Sequence, residues 1–325
     1  MQLTTPVHID PLPFRLGYQH STLIIGSCFA TNIGERLCRL KFPVLVNPFG
    51  VVYNPVSVAN SIELLLGTRE FSEDDLFHNN GLWSSFYHHS CFSSLNKEEA
   101  FQHIKSKLEG GRNFLQKVDR VIVTLGTARV YEYKKTGKVV SNCHKLPASE
   151  FTHRLMDVSE VYAGLANTLS LLKEKLPQLK VVFTVSPIRH IKDGAHGNQL
   201  SKSILLLAVD RLCRDFEDVA YFPAYEIMMD ELRDYRYYAN DMLHPSDLAV
   251  EYIWQKFSSI ALDDEAQELV LELEKILTAK SHRPFNPNSE EYKIFKASFL
   301  NKVKTLKKRY PFLNIDEEIR FFSEN

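Results

Sequence analysis

The chain has 325 residues, 44% hydrophobic and 24% charged, the balance of a packed globular domain. At this length it buries roughly three quarters of the surface its unfolded form exposes, so it needs neither disulfides nor a structural metal. A formal net charge of −1 excludes a strong nonspecific hold on nucleic acid or anionic lipid.

Residues 1–6 lack a basic segment and a long apolar run, so no leader is read there. The elements then follow in order. Residues 22–25 form a short apolar run, too short to span a bilayer, and read as a buried strand. A helix at 31–39 follows directly, and residues 56–66 have apolar spacings of three and four. Residues 120–125, 180–185 and 219–222 repeat the buried-strand signal. Helical stripes lie between them, at 159–176 (Val161, Leu165, Leu169, Leu172, Leu176) and at 201–216 (Ile204, Leu205, Ala208, Leu212). Strands alternating with helices predict a three-layer α/β/α fold around a mostly parallel, flavodoxin-like sheet, with ligands at the carboxyl ends of the strands. From about residue 263 only helices are read, at 264–278 and 290–310. The expected organisation is a catalytic unit over 1–262 and a helical extension over 263–325 that supplies packing and no chemistry. The Lys-rich run 302–309 reads as a solvated helix face.

The five cysteines, Cys28, Cys38, Cys91, Cys143 and Cys213, are scattered without a C-x-x-C pair, which signals neither a disulfide framework nor a zinc site. Free thiols fit a reducing compartment, and the cytoplasm is the expected location. His88, His89, Cys91, Cys143 and His144 match no zinc spacing. No metal and no cofactor are expected.

Two features carry chemistry. In Gly26-Ser27-Cys28-Phe29-Ala30 an apolar strand ends in a glycine, then a hydroxyl and a thiol, and then a helix. The first free N–H groups of that helix and its positive dipole would stabilise a thiolate or an oxyanion. The plainer reading is a small-residue turn that lets strand and helix pack closely. The second feature is Asn240-Asp241-Met242-Leu243-His244-Pro245. An Asp three residues before a His can accept the Nδ1–H and leave Nε2 as a base. Pro245 biases His244 away from helical conformation, just ahead of a helix at 246–257. Here the plainer reading is a loop with a helix cap.

Together these segments resemble the GSCFA-domain family, within the SGNH-hydrolase-like superfamily. The resemblance rests on Gly26-Ser27-Cys28-Phe29-Ala30, on the run from Asn47 to Pro55, and on Gly81-Leu82-Trp83 and His88-His89. It continues through Thr124-Leu125-Gly126-Thr127-Ala128, Asn142-Cys143-His144-Lys145, Ser186-Pro187-Ile188-Arg189-His190 and the segment from Tyr237 to Pro245. It implies an SGNH-like fold over residues 24–257 and supplies no substrate. Matching to the SGNH G-D-S triplet puts Cys28 at the serine position and Ser27 at the Asp position. The G-x-N of the third block, whose Asn helps bind the oxyanion, corresponds to Gly126-Thr127-Ala128, and Ala128 has no donor. Arg129, Asn54 and Asn142 are the candidates to replace it.

The expected reaction is hydrolysis or transfer of an acyl ester, on a small molecule or a glycan, through an acyl-enzyme. Cys28 is the first choice of nucleophile and Ser27 the second, Ser27 more naturally capping the following helix. His244 is the base and Asp241 its orienting partner. The backbone N–H groups of Cys28 and Gly50 are candidate oxyanion donors. Asn54, Gly126, Thr127, Arg189 and His190 are expected to line the substrate site. Arg189 can hold a carboxylate or phosphate, although an Arg at such a place also pairs with local acids. Asn198 and Lys202 are candidates to line the same rim but read more simply as helix surface, and Glu226 is a spare carboxylate. The rival expectation is a catalytically silent SGNH-like module that binds a small acyl or glycan ligand. Oligomeric state is not legible.

Overall fold

A computed structural model describes residues 5–324. The N-terminal reading of residues 1–6 therefore falls largely outside the described residues. The elements in chain order are β1 (Ser21–Gly26), α1 (Cys28–Arg39), β2 (Val44–Val46), α2 (Pro55–Leu66), β3 (Leu76–Asn79), β4 (Leu82–Ser85), α3 (Lys97–Leu115), β5 (Val118–Leu125), β6 (Arg129–Tyr133), β7 (Lys138–Val140) and β8 (Phe151–Leu155). They continue with α4 (Val158–Lys175), β9 (Lys180–Val185), α5 (Gly194–Asp215), β10 (Val219–Phe222), the short α6 (Ala224–Glu226), α7 (Asp247–Ala261), α8 (Asp264–Ser281), α9 (Glu290–Arg309) and α10 (Asp316–Ser323).

The central sheet has the order β10-β9-β5-β1-β2, and every pairing in it is parallel. This is the flavodoxin-like order. Alternation along each strand divides the core into two apolar layers. Leu23 and Ile25, Val121 and Val123, and Val181 and Phe183 face the layer covered by α2 to α5. Ile24, Ile122, Val182 and Phe222 face the layer built with α1 and α7. Helices α8 to α10 extend this second layer through Leu269, Leu273, Val303, Leu306 and Phe322. The Arg36 guanidinium pairs with Glu251 of α7 and Glu274 of α8, which ties the extension to the first helix.

The four expected strands are present within two residues of their predicted bounds. The edge strand β2 was not expected. It is only three residues long and lies between Pro43 and Asn47-Pro48, so its pattern is too short to read. The β3–β4 hairpin and the three-stranded antiparallel sheet β7-β6-β8 were not expected either. They hold mixed aromatic, charged and apolar side chains that follow no single period. Helix α5 begins at Gly194, seven residues before the stripe that marked it, because Gly194 and Gly197 carry weak helix preference.

The sheet's carboxyl edge is fastened at the end of β1. The Gly26 N–H donates to the Asn47 side-chain oxygen (2.8 Å), and the Ser27 N–H donates to the Thr124 carbonyl (3.0 Å). The Gly26 carbonyl accepts from Val52 N–H (3.0 Å). Gly26 has φ +140°, and a Cβ there would stand 2.1 Å from the Thr124 carbonyl oxygen. Only glycine meets both conditions. Gly26→Ala is therefore expected to cost about 2 kcal/mol or more, from backbone strain combined with displacement of β5. A urea midpoint equal to wild type would refute this.

Candidate active site

The β1–α1 turn presents two adjacent side chains in different directions. Cys28 is the first residue of α1 and half-buried. Its Sγ lies 3.5 Å from the Tyr53 hydroxyl. Ser27 holds the N-cap position of α1 in extended conformation, but its side chain makes no capping bond. Its Oγ is buried and unpartnered among the described residues. The expectation that the Ser27 hydroxyl caps the helix is thus corrected: the hydroxyl turns into the protein.

The second half of the site is the loop before α7. Met242 adopts φ +59°, and the Ala239 N–H closes the loop on the His244 carbonyl at 2.8 Å. Asp241 accepts the backbone N–H groups of Leu243 and His244, each at 2.9 Å, and meets His244 Nδ1 at 2.5 Å. The two backbone donors, and then the imidazole, hold its carboxyl down at about 2. Asp241 is therefore a carboxylate wherever the protein works, and it fixes His244 with Nε2 outward. Pro245 ends this loop, and Ser246 caps α7 by accepting the Ala249 N–H at 3.4 Å.

His190 lies between the two halves. Its ring meets the Tyr53 ring edge-on, with centroids 5.7 Å apart. Burial, then the charges of Lys202 and His244, push it down to about 4, so it is a neutral imidazole near pH 7. Among the described residues no hydrogen bond joins His244 to Ser27 or Cys28. The polar neighbour of the thiol is Tyr53, which the sequence reading passed over although it lies inside a quoted motif.

Several expected substrate-site groups are committed to the scaffold. The Gly50 N–H donates to the Asn47 carbonyl (2.8 Å), so it is not a free oxyanion donor. The N–H groups of Gly126 and Thr127 both donate to the Tyr53 carbonyl, at 2.7 and 3.0 Å. The Ala128 N–H donates to Ser201 Oγ (2.7 Å), and the Thr127 hydroxyl meets the same atom at 2.9 Å. The candidates to replace the missing Asn are also engaged: the Asn54 oxygen caps α2, the Asn142 oxygen accepts from His144 N–H, and Arg129 faces Asp193 at 3.6 Å. Exposed Arg189 points its guanidinium at the Met229 sulfur, at 2.9 and 3.2 Å. The spare carboxylate Glu226 accepts the Tyr221 hydroxyl (2.7 Å). His88 is buried among Phe49, Phe71 and Phe92, and burial, followed by His144, pushes it down to about 3.

The first turns of α5 correct another expectation. Asn198 and Lys202 are buried, not surface residues. The Asn198 oxygen accepts the His190 N–H (2.9 Å). Lys202 is fully buried, and its Nζ donates to the carbonyls of Gly126 (2.7 Å) and Ser186 (2.8 Å). It thereby joins the residues that follow β5 and β9, with the Tyr225 ring 5.5 Å away.

The family is decided by the sequence as a whole: the model of the GSCFA family matches residues 21–257. The chain belongs to the GSCFA family. A model of the C-terminal domain of GSCFA domain proteins matches residues 273–325. No curated protein matches the sequence. Among solved structures, an acetyl xylan esterase (Est2A) from the rumen bacterium Butyrivibrio proteoclasticus is similar over 50% of this chain and 37% of that chain, with 15% identity and a TM-score of 0.24. So low a score carries no argument about the site. Among the described residues no helix of this GSCFA protein is long and apolar enough to cross a membrane.

Two outcomes follow from this geometry. Ser27→Ala removes an unpartnered hydroxyl and is expected not to lower stability, whereas loss of a working serine cap costs about 1 kcal/mol. A urea titration that shows such a loss would contradict the orientation described. Burial pushes Lys202 from 10.5 down to about 7, against the two carbonyls that favour its ammonium. Between those values the unfolded chain binds a proton that the folded chain lacks, so stability rises with pH. Wild type should gain stability relative to Lys202→Met as pH climbs through that window, measured by urea unfolding at several pH values. A flat difference would show that Lys202 stays charged.

Proposed function

We propose that this GSCFA protein is an acyl-ester hydrolase or acyltransferase that works through a thioester on Cys28. The observation that supports this most is a thiol at the first residue of α1 together with an Asp241–His244 pair whose carboxylate is held ionised. The Cys28 thiol gives its proton to His244, and the thiolate attacks the ester carbonyl carbon. The carbonyl electron pair moves onto oxygen. Collapse of this intermediate breaks the bond to the alcohol, which leaves with the proton from the His244 imidazolium. Water, or a sugar or other alcohol, then gives its proton to His244 and attacks the thioester. The Cys28 thiolate is expelled and reprotonated. The transfer requires that movement of the 237–245 loop bring His244 within hydrogen-bond reach of the sulfur. The substrate is an acylated small molecule or glycan, and the site uses no cofactor. We further propose residues 1–262 as the catalytic unit, residues 263–325 as its packing extension, and the cytoplasm as the compartment.

A binding module without turnover is favoured by one observation, the commitment of the Gly50, Gly126, Thr127 and Ala128 N–H groups to the scaffold. Kinetics with p-nitrophenyl acetate separates the two readings. Cys28→Ala is expected to abolish both turnover and acetylation of the peptide that contains residue 28. His244→Ala should slow acetylation by about 10²- to 10⁴-fold. A wild-type protein that neither turns over short p-nitrophenyl esters nor becomes acylated would establish the binding module instead.

A further inference from the structure

We propose that the Tyr53 hydroxyl is the oxyanion donor of this site, in place of the third-block Asn side chain that Ala128 lacks. The inference rests on the acyl-ester reading above. It begins from exclusion. The Gly50 N–H is bonded within its own turn, those of Gly126 and Thr127 point at the Tyr53 carbonyl, and that of Ala128 is taken by Ser201. Ala128 is itself fully buried. At the start of α1 the Ala30 N–H already donates to the Ser27 carbonyl (2.8 Å), while those of Cys28 and Phe29 have no acceptor within the helix and cover one side of a developing oxyanion. None of the four groups of Gly50, Gly126, Thr127 and Ala128 is free to be the second donor, and the side chain beside the thiol offers one.

Tyr53 stands where that donor is needed. Its hydroxyl is 3.5 Å from Cys28 Sγ. When sulfur bonds to a carbonyl carbon, the oxygen one bond further on comes within reach of a hydroxyl so placed. The hydroxyl is held from both ends of its residue. The Tyr53 carbonyl takes two N–H groups from the loop after β5, and Asn54 starts α2 with its side-chain cap. Gly126 makes this seat possible: a Cβ there would lie 3.0 Å from the Tyr53 carbonyl oxygen and 3.3 Å from its Cβ and Cδ1. The third-block glycine thus lets the tyrosine pack against it. The ring is further steadied edge-on by His190. Burial and the contact with Cys28 push the phenol upward, so it stays protonated and can donate. During attack the C–S bond forms, the carbonyl π pair becomes an alkoxide lone pair, and Tyr53 O–H donates to that oxygen without transferring its proton. When the C=O bond re-forms the hydroxyl returns to the sulfur. Preorganised donors of this kind act on the transition state more than on the bound substrate.

The test compares two reactions of the same thiol in the full-length protein. p-Nitrophenyl acetate acylates Cys28 through an oxyanion, whereas iodoacetamide alkylates it by displacement at a saturated carbon, with no oxyanion. Both are followed by mass at the residue-28 peptide, since Cys38 and Cys91 are also exposed. Tyr53→Phe is expected to slow acylation about 100-fold or more, the usual effect of losing one such donor, with alkylation close to wild type. Because an unfolded chain would also be alkylated, the control for folding is a urea midpoint for Tyr53→Phe close to that of wild type. Equal loss in both reactions would mean that Tyr53 merely supports the thiolate, and unchanged acylation would mean that it does nothing in the step; either overturns the assignment. A wild-type protein that is alkylated but never acylated would overturn the acyl-ester reading itself, and the assignment with it.

Discussion

Everything at this site depends on how the chain leaves β1. The Gly26 N–H has no partner within the sheet at that point and finds one in the Asn47 side chain, whose amide nitrogen in turn donates to Thr31 Oγ1 at 2.9 Å. Asn47 itself adopts φ +41°, a conformation that asparagine tolerates better than most residues. One side chain therefore ties the end of β1, the body of α1 and the loop that carries Tyr53. Without it the thiol's turn and the loop that carries Tyr53 would be joined there by backbone bonds alone, such as that from Val52 N–H to the Gly26 carbonyl.

The same economy of polar contacts recurs at the start of α5. Asn198, Ser201 and Lys202 lie within two turns of α5, and each serves a different loop: the one carrying His190, the one after β5, and both at once. Burying three polar side chains is costly unless they are hydrogen-bonded, and each of these is. The cationic member carries the largest desolvation cost, yet it is the one group that can join two carbonyls from different strands. Precision in the loops after β5 and β9 is obtained here at the expense of stability.

Much of this architecture was legible in the sequence. The buried strands announced themselves by short β-branched runs, and Gly26-Ser27-Cys28 and Asp241-x-x-His244 marked the turn and the loop that carry the proposed chemistry. What was not legible has physical causes. Lys202 reads as surface because nothing local in the sequence shows that its ammonium will meet two carbonyls far along the chain. Tyr53 sits in a run of apolar and turn residues, and its contact with Cys28 exists only after β1 and β5 pair. Gly50 looked available as a donor because its hydrogen bond to Asn47 is a property of the turn, not of the residue. The β7-β6-β8 sheet alternates too irregularly for its period to be seen. Local pattern reveals elements and special turns; long-range polar contacts are set by the fold.

The second apolar layer has an implication for how the protein is made. The back of α1 is closed in part by α7, and the layer is completed by α8, α9 and α10, which follow it in chain order. During synthesis β1 and α1 emerge well before α8 to α10, so the apolar surface that packs with Leu269, Leu273 and their neighbours is completed only after residues as far as Phe322 have been made. Folding of α1 is thus coupled to the arrival of α8 to α10, and a nascent chain halted near residue 262 would carry an open apolar face, the kind of surface that recruits chaperones or other copies of itself.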